Sequence, residues 1–165
     1  REGFPPGEIG RLLALMLDIS KAAAPVGVAY FHLDLRGVEM FLVAMAPILG
    51  HAFSPFLRFR GGKALATALG VWIGLTVWKA SLPAVAGVVI GILLFTPPGW
   101  SVMCALAGLL VIFLAWLPDP LLLAVWLGQV LILSWTHRHD LRQGIHLRPG
   151  VIKILDRFKY SNTHG

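Results

Sequence analysis

The chain has 165 residues, of which 57% are hydrophobic and 13% are charged, and its mean hydropathy is +0.77. Soluble domains usually have about a quarter of their residues charged, so this composition excludes a soluble globular protein. It predicts an all-α fold, a polytopic transmembrane helical bundle. The net charge of +6 does not indicate a nucleic-acid partner, because the Lys and Arg residues lie at segment ends and in the C-terminal tail. The single cysteine, Cys104, excludes an intramolecular disulfide.

Six apolar segments follow one another along the chain, separated by Gly, Pro or charged residues. They lie at 9–31, 38–52, 63–79, 81–96, 99–117 and 120–137. Several are short for a hydrocarbon core that needs about 20 helical residues. We take residues 1–137 as the transmembrane helical domain. Residues 138–165 form a basic tail, whose amphipathic end suits either an interfacial helix or a helix packed on the bundle.

The cations are distributed very unevenly between the two sides of this predicted bundle. If the N-terminus is cytoplasmic, eleven Lys and Arg residues lie inside and only Arg36 and Lys79 lie outside. The eleven are Arg1, Arg11, Arg58, Arg60, Lys63, Arg138, Arg142, Arg148, Lys153, Arg157 and Lys159. The positive-inside rule then predicts a multi-pass protein of the bacterial inner membrane. The loop before Lys63 and the tail share the cytoplasmic side.

The segment 50–63 concentrates polar and flexible residues between two uncharged runs. They are His51, Arg58, Arg60, Gly61, Gly62 and Lys63. Charges beside a membrane are costly and usually functional, and paired glycines let backbone N–H groups approach an anion. The segment is not a nucleotide-binding P-loop, because Leu57 and Ala64 replace required residues. We expect Lys63 in the first turn of the next helix, beside free N–H groups, in an anion-binding loop for a phosphorylated substrate. A merely topogenic basic loop is the alternative.

Two smaller constellations lie in or beside apolar segments. Asp18 and Lys21 are three residues apart, so they share a helix face, and a structural ion pair is the favoured interpretation. His137 and Asp140 have the same spacing and share a face if the last helix continues. Two His and one Asp within seven residues are weak evidence for a metal, so we predict no metal and no organic cofactor. Small residues at four-residue spacing predict close helix packing: Ala66, Gly70, Gly74, Gly87 and Gly91.

Residues 50–67 resemble the second motif of the bacterial acyl-phosphate:glycerol-3-phosphate acyltransferases, small seven-helix membrane enzymes of phospholipid synthesis. That motif reads approximately G-H-x-F-P-x-F-L-x-F-[KR]-G-G-K-G-x-A-T, and here Ser54 replaces Pro and Ala64 replaces Gly. Asp18 to Lys21 is similar to the family's D-x-x-K-G, with Ala22 for Gly. The resemblance covers most of the chain and implies six helices of seven. The family's first helix and S-G-N-x-G-x-T-N loop are expected upstream, since residue 1 is Arg and the sequence is expected to begin inside a longer chain.

The family's third motif, roughly H-R-x-N-[IL]-x-R-L-x-x-G-x-E, is matched in part. His137, Arg138 and Leu141 follow it, whereas Asp140 takes the Asn position and Gln143 the Arg position. A carboxylate there would repel a phosphate unless it pairs with a neighbouring Arg.

The resemblance implies transfer of a fatty acyl group from acyl phosphate to the 1-hydroxyl of glycerol 3-phosphate, giving lysophosphatidate. Acyl phosphate, glycerol 3-phosphate and membrane lipids are the implied partners. It implies catalytic roles for Lys63, His137 and Asp140. The implied substrate-binding residues are Arg1, His51, Arg58, Arg60, Gly61, Gly62 and Lys63. The alternative is a non-catalytic transporter or lipid- or anion-binding membrane protein derived from that family.

Overall fold

The computed structural model describes residues 6–53 and 63–152. Within them lie seven helices, and the only β pairing in those ranges is an isolated bridge between Phe95 and Leu147. The helices are α1 (Pro6–Phe31), α2 (Gly37–Ala52), α3 (Leu65–Thr76), α4 (Ser81–Leu94), α5 (Pro98–Ala115), α6 (Pro120–Thr136) and α7 (Arg138–Arg142). The first six correspond to the six predicted segments, so the all-α prediction is confirmed. The short α7 follows α6 almost without a break.

Helix α3 is shorter than the sequence predicts at both ends. Its N-cap, Ala64, has a φ of 58°, and Val77 just after its last residue has a φ of 59°. Residues other than glycine avoid this left-handed region, because Cβ crowds the following carbonyl oxygen. Each of these residues therefore stops the helix. The prediction that Lys63 lies in the first turn of α3 is wrong, since Lys63 precedes it by two residues.

The helices pack mainly in pairs, α1 with α3, α4 with α5 and α2 with α6. Glycines make the first two contacts close. A Cβ built at Gly70 would overlap the carbonyl oxygen of Ile19, and one at Gly74 would lie 2.7 Å from Val26 Cγ1. At Gly91 it would overlap Ser101. For Gly70, Gly74 and Gly91, the prediction that small residues serve close helix packing is confirmed.

The core between the helix pairs is apolar with a few buried polar groups. Trp72 and Phe113 are fully buried and their ring centroids lie 5.1 Å apart. The indole of Trp126 donates to the carbonyl oxygen of Leu106 at 2.8 Å. Thr67 and Gln129 are buried in the same region. Hydrogen-bonding side chains within a mostly apolar core are candidates for functional or structural roles.

Two helices, α1 and α5, are long and apolar enough to cross a membrane. The other apolar helices are shorter, with α3 the shortest at 12 residues. Many large apolar side chains of α1, including Leu12, Leu13 and Leu17, are exposed. Lys79 and Asp119 line one groove together with Tyr30, so the connections α1–α2, α3–α4 and α5–α6 lie at one end of the bundle.

The chain after α7 folds back on the opposite end. Thr96 N donates to His146 O at 2.8 Å, and Arg148 N donates to Leu94 O at 2.9 Å. These bonds tie the first part of the tail to the connection between α4 and α5. A helical turn begins at Pro149, and the residues from 153 onward lie outside the described part of the chain. The interfacial tail helix and the boundary after residue 137 therefore stay predictions.

We expect Gly70→Ala to destabilise the bundle by about 1–3 kcal/mol, because the new methyl group meets the backbone of α1 and overpacks a close contact. The matched control is Gly108→Ala in α5, where a Cβ meets nothing within 4 Å. That change should be neutral or stabilise by up to about 1 kcal/mol, since alanine favours the helix. Thermal unfolding in detergent would compare the two, and equal melting temperatures would contradict the packing described above.

Candidate functional site

The centre of the candidate site is an ion pair between Lys63 and Asp140. Lys63 Nζ lies 2.6 Å from Asp140 Oδ2, although the residues are 77 positions apart in sequence. The side chain of Asp140 is 17% exposed and that of Lys63 is 54% exposed. The sequence predicted that a cation must neutralise Asp140 but expected an arginine. Among the described residues, the partner is Lys63.

Two hydrogen bonds bring these two side chains together. Thr136 Oγ1, at the end of α6, donates to Lys63 O at 3.3 Å and so attaches α6 to the residue ahead of Ala64. The helical bond from Leu141 N to His137 O, 3.0 Å, continues α6 into α7 and orients Asp140. This geometry explains how a lysine before α3 meets a carboxylate after α6.

The first turn of α5 abuts α7 at Gly99. A Cβ built there would lie 2.8 Å from Asp140 Cβ and 3.3 Å from His137 Cβ. The absence of a side chain at Gly99 therefore lets α5 approach α7 closely. Gly99 faces both His137 and Asp140, so these two residues share a face, as their spacing predicted.

His137 is a buried neutral imidazole beside this pair. It is 2% exposed, and its Nδ1 lies 3.0 Å from the carbonyl oxygen of Leu133. Burial is the largest influence on the pKa of His137 and lowers it below 6.5. The hydrogen bond to Leu133 raises this pKa, the charge of Lys63 lowers it, and the charge of Asp140 raises it. Because a carbonyl oxygen only accepts, Nδ1 carries the proton and donates. Nε2 is then the acceptor nitrogen, and the ring can accept a proton there.

A second cluster joins α1 to α2. Lys21 Nζ lies 2.6 Å from Asp18 Oδ1 and 3.2 Å from His51 Nδ1, and His51 lies 3.5 Å from Asp18. The prediction of an Asp18–Lys21 ion pair is confirmed. His51 attaches the end of α2 to this pair, and within residues 6–53 and 63–152 no polar contact joins it to Lys63 or Asp140. A substrate-binding role for His51 stays a prediction.

An apolar cavity of about 240 Å³ adjoins the Lys63 site. Residues of α1, α3, α4, α5 and α6 line it, and all are apolar except Gln129. Its lining begins at Leu65, two residues after Lys63, and includes Leu133, the hydrogen-bond partner of His137. Along α3 it extends to Trp72, about 10 Å farther at 1.5 Å per residue. The polar site around Lys63 and His137 and the apolar cavity are thus formed by residues that are close neighbours.

Gln129 is the one polar residue that lines this cavity. It is 1% exposed, its Nε2 lies 3.4 Å from Ala68 O, and its Oε1 has no hydrogen-bond partner within the described part of the chain. Gln129 was not predicted, although it is the single amide in an otherwise apolar segment. The close contact at Gly99 was not predicted either, although Gly99 follows a pair of prolines. Both signals were visible in the residue pattern.

Several of the predicted site residues fall outside the described ranges. They are Arg1, Arg58, Arg60, Gly61 and Gly62. The structure therefore brings together Lys63, His137 and Asp140 of the predicted set, and it places His51 in a separate cluster. Groups of three or more metal-ligating side chains are not found in residues 6–53 and 63–152.

We expect stability to fall as the pH drops below about 6.5. The folded pKa of His137 is depressed, so the unfolded chain binds the proton first, and the stability present above pH 6.5 is lost as the pH falls toward the folded pKa. His137→Gln should flatten this part of the profile, whereas His146→Gln, at an exposed position, should leave it unchanged. Melting temperatures at pH 7.5 and 5.5 measure the difference. An identical pH dependence in wild type and His137→Gln would contradict a buried neutral His137.

The fold resembles a solved membrane enzyme. The crystal structure of PlsY (YgiH), described as an integral membrane glycerol 3-phosphate acyltransferase in its glycerol 3-phosphate form, superimposes with a TM-score of 0.69. The match covers 90% of this chain and 76% of that one, at 23% sequence identity. It establishes that the two chains share a fold.

Sequence comparison gives the family. The chain is 34% identical over 145 residues to the glycerol-3-phosphate acyltransferase of Desulfovibrio desulfuricans, covering 84% of this chain and 60% of that protein. It is 37% identical over 157 residues to glycerol-3-phosphate acyltransferase 1 of Thermotoga maritima, covering 86% of this chain and 72% of the relative. The family model described as glycerol-3-phosphate acyltransferase matches residues 7–146. The chain belongs to the glycerol-3-phosphate acyltransferase family.

Proposed function

We propose that this protein is a multi-pass enzyme of the bacterial inner membrane that moves a fatty acyl group from acyl phosphate to the 1-hydroxyl of glycerol 3-phosphate. The products are lysophosphatidate and phosphate. The observation that carries the proposal is the apolar cavity whose lining on α3 starts at Leu65, two residues after the cation of Lys63. An apolar cavity suits the fatty acyl tail, and a cation close to it in the chain suits a substrate phosphate.

One of the two substrate phosphates is bound by charge at Lys63. Its side chain is half exposed, so its ammonium can reach a phosphate from solution. Gly61 and Gly62 precede it, and their N–H groups would complete the contact with one phosphate. Arg1 would bind the other phosphate, while Arg58 and Arg60 would raise the local concentration of anionic substrates.

The tail of the donor lies in the cavity. Its walls are apolar, and they expose almost no hydrogen-bonding groups apart from Gln129. Each buried methylene contributes about 0.8 kcal/mol, so a fatty acyl chain binds strongly here. The groove along Gly70 and Gly74 is filled by α1, so it leaves no room for this tail. The acyl chain therefore lies on the Ala66 side of α3.

The chemistry requires little beyond positioning and charge stabilisation. Acyl phosphate is a mixed anhydride with a good leaving group, so holding the two substrates together removes much of the barrier. His137 is neutral, with Nε2 as acceptor, so it can orient the glycerol hydroxyl or relay its proton. The departing phosphate can take the same proton. Asp140 shapes the pocket beside His137.

Lys63→Ala should abolish acyl transfer while the protein still enters the membrane. The assay uses the protein in lipid with acyl phosphate and labelled glycerol 3-phosphate, and it follows phosphate and labelled lysophosphatidate together. The matched control is Lys79→Ala, which removes an exposed lysine at the other end of the bundle and should keep activity. Near-wild-type transfer by Lys63→Ala would disprove the mechanism. Absence of both products with the wild type would favour the non-catalytic binding or transport function.

Ala66→Leu should shift the donor preference toward shorter acyl chains, because the added atoms fill part of a cavity of about 240 Å³. Ala107→Leu adds the same atoms on an exposed face of α5 and serves as the control. The measurement is kcat/KM for acyl phosphates of increasing chain length. A loss of activity independent of chain length would mean that the tail does not lie in this cavity.

A further inference from the structure

We propose that Asp140 is an internal counterion for Lys63, that the phosphate of the acceptor displaces it, and that the released carboxylate then binds a hydroxyl of the same acceptor. This inference rests on the proposed function, because it uses Lys63 as the phosphate-binding group. It assigns to Asp140 a role in acceptor selection. The ligand class is a phosphate monoester of an alcohol that carries a free hydroxyl.

The first step follows from the unequal mobility of the two partners. Lys63 is 54% exposed and carries its charge on a flexible four-carbon stem. Asp140 is 17% exposed and its Cβ packs against Gly99, so α5 holds it in place. The exposed ammonium can therefore leave the pair at little cost when another anion reaches it. The cost of separation falls on the less exposed carboxylate of Asp140.

The second step follows from charge. A phosphate monoester brings nearly two negative charges and three acceptor oxygens, whereas Asp140 brings one charge and offers one oxygen to Lys63. The ammonium has three donors and can bind several phosphate oxygens at once. The substrate therefore replaces Asp140 as the partner of Lys63 rather than adding to it.

The third step concerns the carboxylate that remains. A largely buried carboxylate without a donor is costly. Among the described residues, its neighbour His137, just before α7, is neutral and already donates Nδ1–H to Leu133, so it does not compensate. A hydroxyl of the bound acceptor can supply the missing hydrogen bond. Inorganic phosphate displaces Asp140 at the same cost, but it lacks the alcohol hydroxyl that would donate to the released carboxylate. The site should therefore prefer the phosphorylated alcohol.

Binding of inorganic phosphate and of glycerol 3-phosphate to the full chain in lipid nanodiscs tests the inference. In Asp140→Asn, which keeps the side-chain shape, inorganic phosphate should bind about threefold to tenfold more tightly, because no internal anion competes. The preference for glycerol 3-phosphate over inorganic phosphate should fall, since a neutral amide accepts a hydroxyl less strongly. Unchanged or weaker phosphate binding would overturn the displacement. An unchanged preference would overturn the hydroxyl contact.

Three controls make the result specific. Asp34→Asn removes the same charge from an ion pair with Arg36, 2.6 Å long, in the loop between α1 and α2, and it should change neither affinity. In a Lys63→Ala background, Asp140→Asn should bring no gain; a gain that persists there would show that Asp140 acts through another group and would overturn the proposal. Asp140→Ser, which is smaller, should reproduce the gain if the amide disturbs folding.

The acyl-transfer assay on the wild type separates this inference from the function on which it rests. If the wild type makes lysophosphatidate but Asp140→Asn does not bind phosphate more tightly, the proposed function stands and the counterion role fails. If the wild type makes no lysophosphatidate, the function fails, and the acceptor role proposed for Asp140 fails with it. In that case, tighter phosphate binding by Asp140→Asn would show only that the site binds anions.

Discussion

Contact of one backbone with another, permitted by glycine, is the constraint on which this structure depends. Gly70 and Gly74 let α1 lie directly on α3, and Gly91 does the same between α4 and α5. In an apolar environment helices associate through close packing more than through hydrophobic burial. Because the two pairs are fixed at these points, the space between them is also fixed. The cavity that adjoins Lys63 is that space.

Electrostatics at one end of the bundle depends on the same arrangement. Gly99 admits the first turn of α5 to the face that carries His137 and Asp140. Burial lowers the pKa of the His137 imidazole and so favours its neutral form, while the neighbouring carboxylate of Asp140 forms an ion pair with Lys63. A neutral ring and an ion pair thus lie side by side at this end of the bundle. Such opposed environments are typical of sites that bind ions and move protons.

The sequence predicted the helices well because long apolar runs between glycine and proline breakers leave few alternatives. It also predicted that His137 and Asp140 share a face, which is a local property of helix spacing. It misplaced Lys63 because the left-handed conformation of Ala64 depends on how the chain enters α3. It expected an arginine beside Asp140, since a contact across 77 residues depends on the packing of all the helices between them.

The wide separation of Lys63 and Asp140 along the chain also determines when the site can form during synthesis. The cluster of Asp18, Lys21 and His51 closes over 30 residues, so it can assemble while the rest of the chain is still emerging. Lys63 must wait until α6 and α7 exist, because its carbonyl binds Thr136 and its ammonium binds Asp140. A growing chain therefore acquires its scaffold first and its charged centre last. An incomplete chain can be packed and yet lack the site.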